Sequence, residues 1–327
     1  MQPTDKRQMR RTMLRGALAV PAASFAVPAL SRTSPNVPTR LIVGFAPGGS
    51  ADAVARATAA GITAETGQTV IVDNRPGGQL KISMQALTGS ASDGQRLIYM
   101  TGAYLAIQST QRLYDIEAQT TPITNTISTP IVMLVKNDSP YRSVTDLFEA
   151  AKRGREKASF GVITLGGIEH FKLTQMERTV GFKGLVVPYN SGPDGIKGLV
   201  SGDIDCMIGP GIFAKTFAGR LRALAVLGAR RWEQVPEIPT LNEMGVPVPP
   251  TTYWGGWSAS AGVSDEDAAA LARLIAKVSQ QPTVLAQLQA TGHDLQLSEG
   301  PRQFRSQIRS ELAWMSEVAK IEGLIGK

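Results

Sequence analysis

Short apolar runs bounded by Gly, Pro, Asn and Asp recur along the chain, and most lead into stretches whose apolar positions fall at helical spacing. The run that begins at Leu41 meets Ala46-Pro47-Gly48-Gly49 and then the alanine-rich stretch 53–66, closed by Gly67. This predicts strand, turn and helix in succession. Thr69–Val72 predicts a second strand, Asp73–Gly78 a turn, 81–88 a helix and Arg96–Met100 a third strand that runs into a loop at Thr101–Tyr104. Strands alternating with helices imply βαβ units and a mostly parallel sheet, with ligands bound beyond the C-terminal strand ends.

A second half repeats the device. Pro130–Val135 is read as a strand crossing between two lobes, and Ser143 with Asp146 three residues on opens a helix to about Lys152. The strand Ala158–Ile163 leads into Thr164-Leu165-Gly166-Gly167 and an amphipathic helix to about Val180. Strands at 184–188, 204–208 and 221–227 follow, then a Pro-rich return over 236–250. Trp254–Ala259 reads as a strand crossing back, Ser264 opens a helix to about Ser279, and Pro282 begins a shorter one ending before Gly292. Phe304, Ile308, Leu312, Met315 and Ile321 lie at helical spacing, which predicts a C-terminal helix packed on the first lobe. The expected division is 36–133 plus 251–327 for lobe 1 and 134–250 for lobe 2.

The chemistry concentrates at the two paired-glycine turns. Ser50 is a candidate N-cap with Asp52 in the first turn, and a helix start aims unpaired N–H groups and the positive end of its dipole at one point. Glycine lets a ligand oxygen reach the backbone. The first turn is therefore either an anion pocket, with carboxylate the expected group, or an ordinary strand–turn–helix connection. The second turn, placed across a cleft, favours a binding site. Glu169 would repel a carboxylate there, so it either faces solvent or reads an ammonium group. Tyr104 and His170 each either meet a ligand or pack, and Tyr189 and Asn190 bring hydrogen-bonding groups to another strand end.

Composition narrows the field. The 327 residues are 43% hydrophobic and 19% charged, as expected of about two globular α/β domains. The net charge of +7 does not indicate nucleic acid, because Lys6, Arg7, Arg10, Arg11 and Arg15 against Asp5 place four of those charges in residues 1–29. Arg10-Arg11 before the short apolar run Gly16–Leu30 predicts a cleaved export signal over 1–30, of twin-arginine type, with the general secretory route as the alternative. The mature protein is expected to be soluble, periplasmic and monomeric. A single cysteine, Cys206, permits no internal disulfide, and two histidines are too few for a histidine metal site. No cofactor and no metal are expected. The Gly-x-Ser-x-Gly elbow of hydrolases and the Gly-x-Gly-x-x-Gly dinucleotide turn are both missing, so a binding protein is favoured over an enzyme.

Several segments in order carry a resemblance. They are Ile42–Asp52, Val70–Gly77, Ala91–Gly94, Val187-Pro188-Tyr189, Gly202-Asp203-Ile204-Asp205, Leu221–Val226 and Ile238–Gly245. Together they are similar to the Bug-type solute receptors, the extracytoplasmic binding components of tripartite tricarboxylate transporters. The resemblance implies an α/β, two-lobed type II periplasmic-binding-protein fold, each lobe a mixed, mostly parallel sheet flanked by helices. It implies a carboxylate held by backbone N–H groups and ordered water at Ala46, Gly48, Gly49, Ser50 and Asp52, and at Gly166 and Gly167. Tyr104, His170, Tyr189, Asn190 and Asp205 complete the expected ligand-binding set. Di- and tricarboxylates, acidic amino acids and aromatic acids are the implied ligands, and transporter membrane subunits the implied partner. Delivery to a membrane sensor kinase and an exported α/β hydrolase are the alternatives. The chain departs from the family pattern at Gly78-Gln79-Leu80-Lys81, at Gly167 in place of Ser or Thr, and at Asn190 in place of Lys or Arg.

Overall fold

The computed structural model describes residues 38–89, 94–154, 158–163, 165–189, 191–249 and 251–325. The export segment at 1–30 and Asn190 lie outside the described residues. In chain order the elements are β1 (Thr39–Val43), α1 (Ser50–Thr66), β2 (Val70–Asn74), α2 (Lys81–Thr88), β3 (Arg96–Thr101), α3 (Gly102–Gln111), α4 (Ile116–Gln119) and β4 (Thr120–Lys136). They continue with α5 (Val144–Lys152), β5 (Ser159–Ile163), α6 (Ile168–Val180), β6 (Leu185–Tyr189), α7 (Gly192–Ser201), β7 (Cys206–Pro210), α8 (Ile212–Thr216) and β8 (Leu221–Val226). The chain ends with β9 (Thr252–Ser260), α9 (Asp265–Ser279), α10 (Pro282–Ala290), β10 (Asp294–Leu295) and α11 (Pro301–Ile321).

Two strand groups share one spine. In the first lobe β2, β1 and β3 are parallel, and β9 then pairs antiparallel with both β3 and β4. In the second, β6, β5 and β7 are parallel, and β7 and β8 pair antiparallel with β4. The 17-residue β4 serves both groups: Thr120–Pro130 pairs with β9, and Ile131–Lys136 with β7 and β8. The sequence pattern catches only the apolar half of this strand. Its first half is Thr-rich and carries no strand prediction, yet Thr124, Asn125 and Thr126 are buried in the structure. The Thr126 hydroxyl donates to the Gly255 carbonyl at 3.0 Å, and the Asn125 amide to the Gln296 carbonyl at 3.0 Å, while Asn125 Oδ1 has no protein partner.

The alternation on β1 shows how the core is divided. Leu41 and Val43 face a cluster with Ile62, Trp257 and Ile275, under α1 and α9. Ile42 faces the opposite cluster, which runs on through Tyr104, Phe304 and Phe171 into the second lobe. A third cluster, around Leu134, Leu199 and Trp232, fills the far side of the second lobe. On α11, Phe304, Ile308, Leu312 and Met315 are buried as the spacing predicts, whereas Ile321 is 51% exposed at the helix end. The expected helix starts at Ser143 and Ser264 are present, each hydroxyl accepting the N–H three residues on. The expected loop at Thr101–Tyr104 is instead the start of α3.

Gly77, Gly78, Gln79 and Leu80 have φ of 104°, 57°, 52° and 64°, four consecutive residues on the left-handed side. L-residues lose roughly 1–2 kcal/mol there because Cβ crowds the next carbonyl. Leu80 is buried in the core and anchors the turn, but Gln79 is exposed. We predict that Gln79→Gly stabilises the protein by about 0.5–1 kcal/mol in urea unfolding, the relief exceeding the entropy that glycine adds to the unfolded chain. A loss of stability would show that the turn carries no strain.

Candidate functional site

The β1–α1 turn is built by Gly48 and Gly49. Gly48 has φ +81°, and Gly49 follows with φ −82° and ψ 175° as the residue capping α1. Expected as the N-cap, Ser50 is instead the first helical residue, and Gly49 caps without a side chain. The Gly48 N–H donates to Asp52 Oδ2 at 2.9 Å, and the Arg56 guanidinium donates to the same oxygen at 2.8 Å. That guanidinium holds the Asp52 carboxyl below its usual range, with burial opposing and the Gly48 N–H adding to it. Ala46, Gly48, Gly49 and Ser50 are exposed, while Asp52 is only 3% exposed.

The β5–α6 turn is a backbone copy. Gly166 has φ +79°, and Gly167 caps α6 with φ −77° and ψ 175°. Here the Gly166 N–H donates to His170 Nδ1 at 3.0 Å. In both turns, therefore, the left-handed glycine is pinned by the side chain four residues on, a carboxylate in one and an imidazole in the other. Asp52 and His170 thus shape the turns. The N–H groups that remain without an intrahelical acceptor are those of the first helical turn, since Ala53 N–H is the first to reach back to Gly49 and Phe171 N–H the first to reach Gly167.

Both helix starts are tied to one rung of the ladder between the crossing strands. Ser50 Oγ lies 2.5 Å from His293 Nε2, and His293 Nδ1 lies 2.5 Å from Thr129 Oγ1 on β4. On the other side, the Tyr253 hydroxyl on β9 donates to Glu169 Oε1 in the first turn of α6. Thr129 and Tyr253 are direct partners in the β4–β9 register, so their side chains stand on the same face. A short polar path thus runs from each turn to the same rung. The second turn also touches the first lobe, where a Cβ on Gly166 would sit 3.7 Å from the Thr110 methyl of α3.

Burial sets the charge state of this region. Glu169 neither faces solvent nor is free to read an ammonium group: it is 3% exposed, bonded to Tyr253, and pushed up to about 7 by burial. Burial likewise lowers His293 to about 4 and so keeps its ring neutral at pH 7. Further along α6, Lys172 is lowered to about 8 by burial, donates to the Pro249 carbonyl at 3.0 Å and lies 4.3 Å over the Trp314 ring. Trp254 Nε1 donates to Glu311 at 2.5 Å, and burial raises that carboxyl to about 7.

The remaining expected site residues are placed elsewhere. Tyr104 is 0% exposed, and its hydroxyl shares a 2.8 Å hydrogen bond with Ser83 Oγ, so it packs rather than offering a phenol. The Tyr189 ring lies on the glycine face of α7, leaving no room for a Cβ at Gly198. Asp205 accepts from the Ser159 N–H at 2.8 Å and hydroxyl at 2.7 Å, at the end of β5 opposite Gly166 and Gly167. It fastens β5 to β7. His293, Thr129 and Tyr253 were not legible as site residues. Ser50 and His293 are 243 positions apart, and nothing local signals the pairing.

Two outcomes follow for the pins. Asp52→Ala leaves the Gly48 N–H and Arg56 without their shared acceptor and should cost about 1–3 kcal/mol in urea unfolding; an unchanged midpoint would free Asp52 from this role. His170 must be bare at Nδ1 to accept from Gly166, and burial lowers its affinity for a proton. The unfolded chain then binds the proton first as pH falls through about 6.5, so the contribution of His170 is present above that pH and fades below it. The stability deficit of His170→Phe should accordingly be larger at pH 7.5 than at pH 5, and a deficit that grows toward pH 5 would contradict the assignment.

The profile described as "Tripartite tricarboxylate transporter family receptor" matches residues 54–323. The protein of the tcbD–tcbE intergenic region of Pseudomonas sp. strain P51 is 32% identical over 289 residues, 86% of either chain. BugT of Bordetella pertussis is 28% identical over 323 residues, covering 96% of this chain and 98% of its own. The structure of the R. palustris protein Rpa4515 with adipate is similar with a TM-score of 0.76 at 27% identity, over 88% of this chain and 98% of that one. The two-lobed α/β architecture, the paired-glycine helix starts and these matches agree: the chain belongs to the tripartite tricarboxylate transporter family of solute-binding receptors.

Proposed function

We propose that this protein captures a small carboxylate-bearing ligand between the Gly48–Ser50 and Gly166–Gly167 turns and delivers it to transporter membrane subunits. The observation that carries the reading is the shared rung: both helix starts lead back to Thr129 and Tyr253, neighbours on the two strands that join the lobes. Two sets of first-turn N–H groups then serve one anion, with no cation required. The Rpa4515 structure with adipate, from a chain 27% identical, supports a dicarboxylate. Burial that holds Glu169 toward its neutral form lessens the repulsion its charge would bring.

In this reading the lobes are 36–133 with 251–327, and 134–250, and β4 and β9 are the hinge across which they close. The Arg10-Arg11 segment directs export to the periplasm by the twin-arginine route, and the receptor works as a monomer. Among the described residues, no helix is long and apolar enough to cross a membrane.

One observation favours a second reading. Ser50, His293 and Thr129 form a nucleophile–base–orienter series of the kind hydrolases use, at a helix start. Against hydrolysis, the orienter is a hydroxyl without charge, and burial holds His293 at about 4, so an imidazolium formed during attack would have no counter-charge.

A thermal-shift screen of the mature protein against adipate and related di- and tricarboxylates tests the function. A ligand at about 100 times its Kd adds about 2.7 kcal/mol, which for a chain of this size is roughly 4 °C. Gly49→Val, whose Cβ would stand 3.5 Å from the Ala46 carbonyl, should fold and lose that shift. A full shift in the variant would remove the first turn from the site, and hydrolysis of p-nitrophenyl esters abolished by Ser50→Ala would favour the second reading.

A further inference from the structure

His293 has no role in the reading above beyond anchoring Ser50, and its geometry says more. Ser50 Oγ is 2.5 Å from Nε2 and Thr129 Oγ1 is 2.5 Å from Nδ1, so both ring nitrogens are engaged by hydroxyls. Ser50 is exposed at the mouth of the first turn, whereas Thr129 and His293 are buried, at 3% and 7%. A neutral imidazole carries one proton, and a hydroxyl can either donate or accept. The three groups therefore have two self-consistent arrangements. In one, Thr129 O–H donates to Nδ1, Nε2–H donates to Ser50 Oγ, and the Ser50 proton is free to point outward. In the other, every bond is reversed, and Ser50 turns only lone pairs outward.

We propose that His293 is the positioning residue that makes Ser50 a hydrogen-bond donor to the ligand, by holding the ring proton on Nε2. A carboxylate only accepts, so it completes the first arrangement and is refused by the second. A ligand presenting an ammonium, an alcohol proton or a protonated acid would favour the reverse. With the ring proton on Nε2, the histidine thus favours an ionised carboxylate at the first turn, acting through Ser50 and without touching the ligand. Because the chain is buried behind Ser50 and each bond polarises the next, the preference reaches the site from a residue 243 positions away. This inference rests on the carboxylate-binding function proposed above.

The experiment combines affinity and spectroscopy. The chain has two histidines, so the ring-nitrogen spectrum of the 15N-labelled protein holds two imidazoles, and His293→Gln assigns them. With saturating adipate, or whichever dicarboxylate gives the larger thermal shift, His293 should show a protonated Nε2 and a bare Nδ1. Ser50→Ala removes the donor and should weaken adipate binding about tenfold; His293→Phe leaves the hydroxyl but frees its rotor and should weaken binding less, and in the Ser50→Ala background it should add nothing further. A ring proton found on Nδ1 in the bound protein, or a double variant about a hundredfold weaker, overturns the proposal while leaving the carboxylate site standing. If His293→Phe does not fold, the ring spectrum of the wild type decides alone. If no carboxylate shifts the melting temperature of the wild type, the proposed function falls and this inference falls with it.

Discussion

The arrangement depends on one pairing, Thr129 against Tyr253 in the antiparallel ladder of the two crossing strands. A β-ladder fixes register to the residue, because a slip by one turns every side chain to the other face. Thr129 reaches the first helix start through His293, and Tyr253 reaches the second through Glu169. The two turns are nearly 120 residues apart in sequence, yet the backbone hydrogen bonds of one strand pair bring their tethers together. In the proposed closure these strands are the hinge, which puts the tethers beside it.

Buried polar groups concentrate along the same seam. Glu169, Lys172, Glu311 and His293 are all displaced from their ordinary ionisation in the direction that burial dictates, acids upward and bases downward. Each has a named partner: Tyr253 for Glu169, the Pro249 carbonyl and the Trp314 ring for Lys172, Trp254 for Glu311, and the two hydroxyls for His293. An apolar seam of the same size would hold the lobes by area alone. Of these contacts, Tyr253 with Glu169 and Trp314 with Lys172 join the lobes and hold them in a specified orientation, because each is lost when the geometry slips.

Much of this was legible in the chain, and the rest was hidden for physical reasons. The paired glycines before each helix declared the turns, since positive φ and close approach both call for glycine, and Gly48 and Gly166 do take positive φ. Ser143, Ser264 and Gly67 announced their caps through local chemistry. The first half of β4 escaped notice because threonine and asparagine are polar by composition, and only the ladder and Ser298, Gln296 and Gly255 make them internal. Tyr104, Tyr189 and Asp205 sat at plausible strand ends but were claimed by Ser83, by α7 and by Ser159. The partners of His293 are remote in sequence, and no local pattern records them.

The account turns on both helix starts holding the same carboxylate. Backbone amide spectra of the 15N-labelled protein during an adipate titration measure this directly. The N–H signals of Ser50 and Ala51 and those of Ile168 and Glu169 should move together, downfield, on one saturation curve with one Kd, as expected for hydrogen bonds to a shared anion. Movement confined to one turn, or two curves with different midpoints, would contradict it.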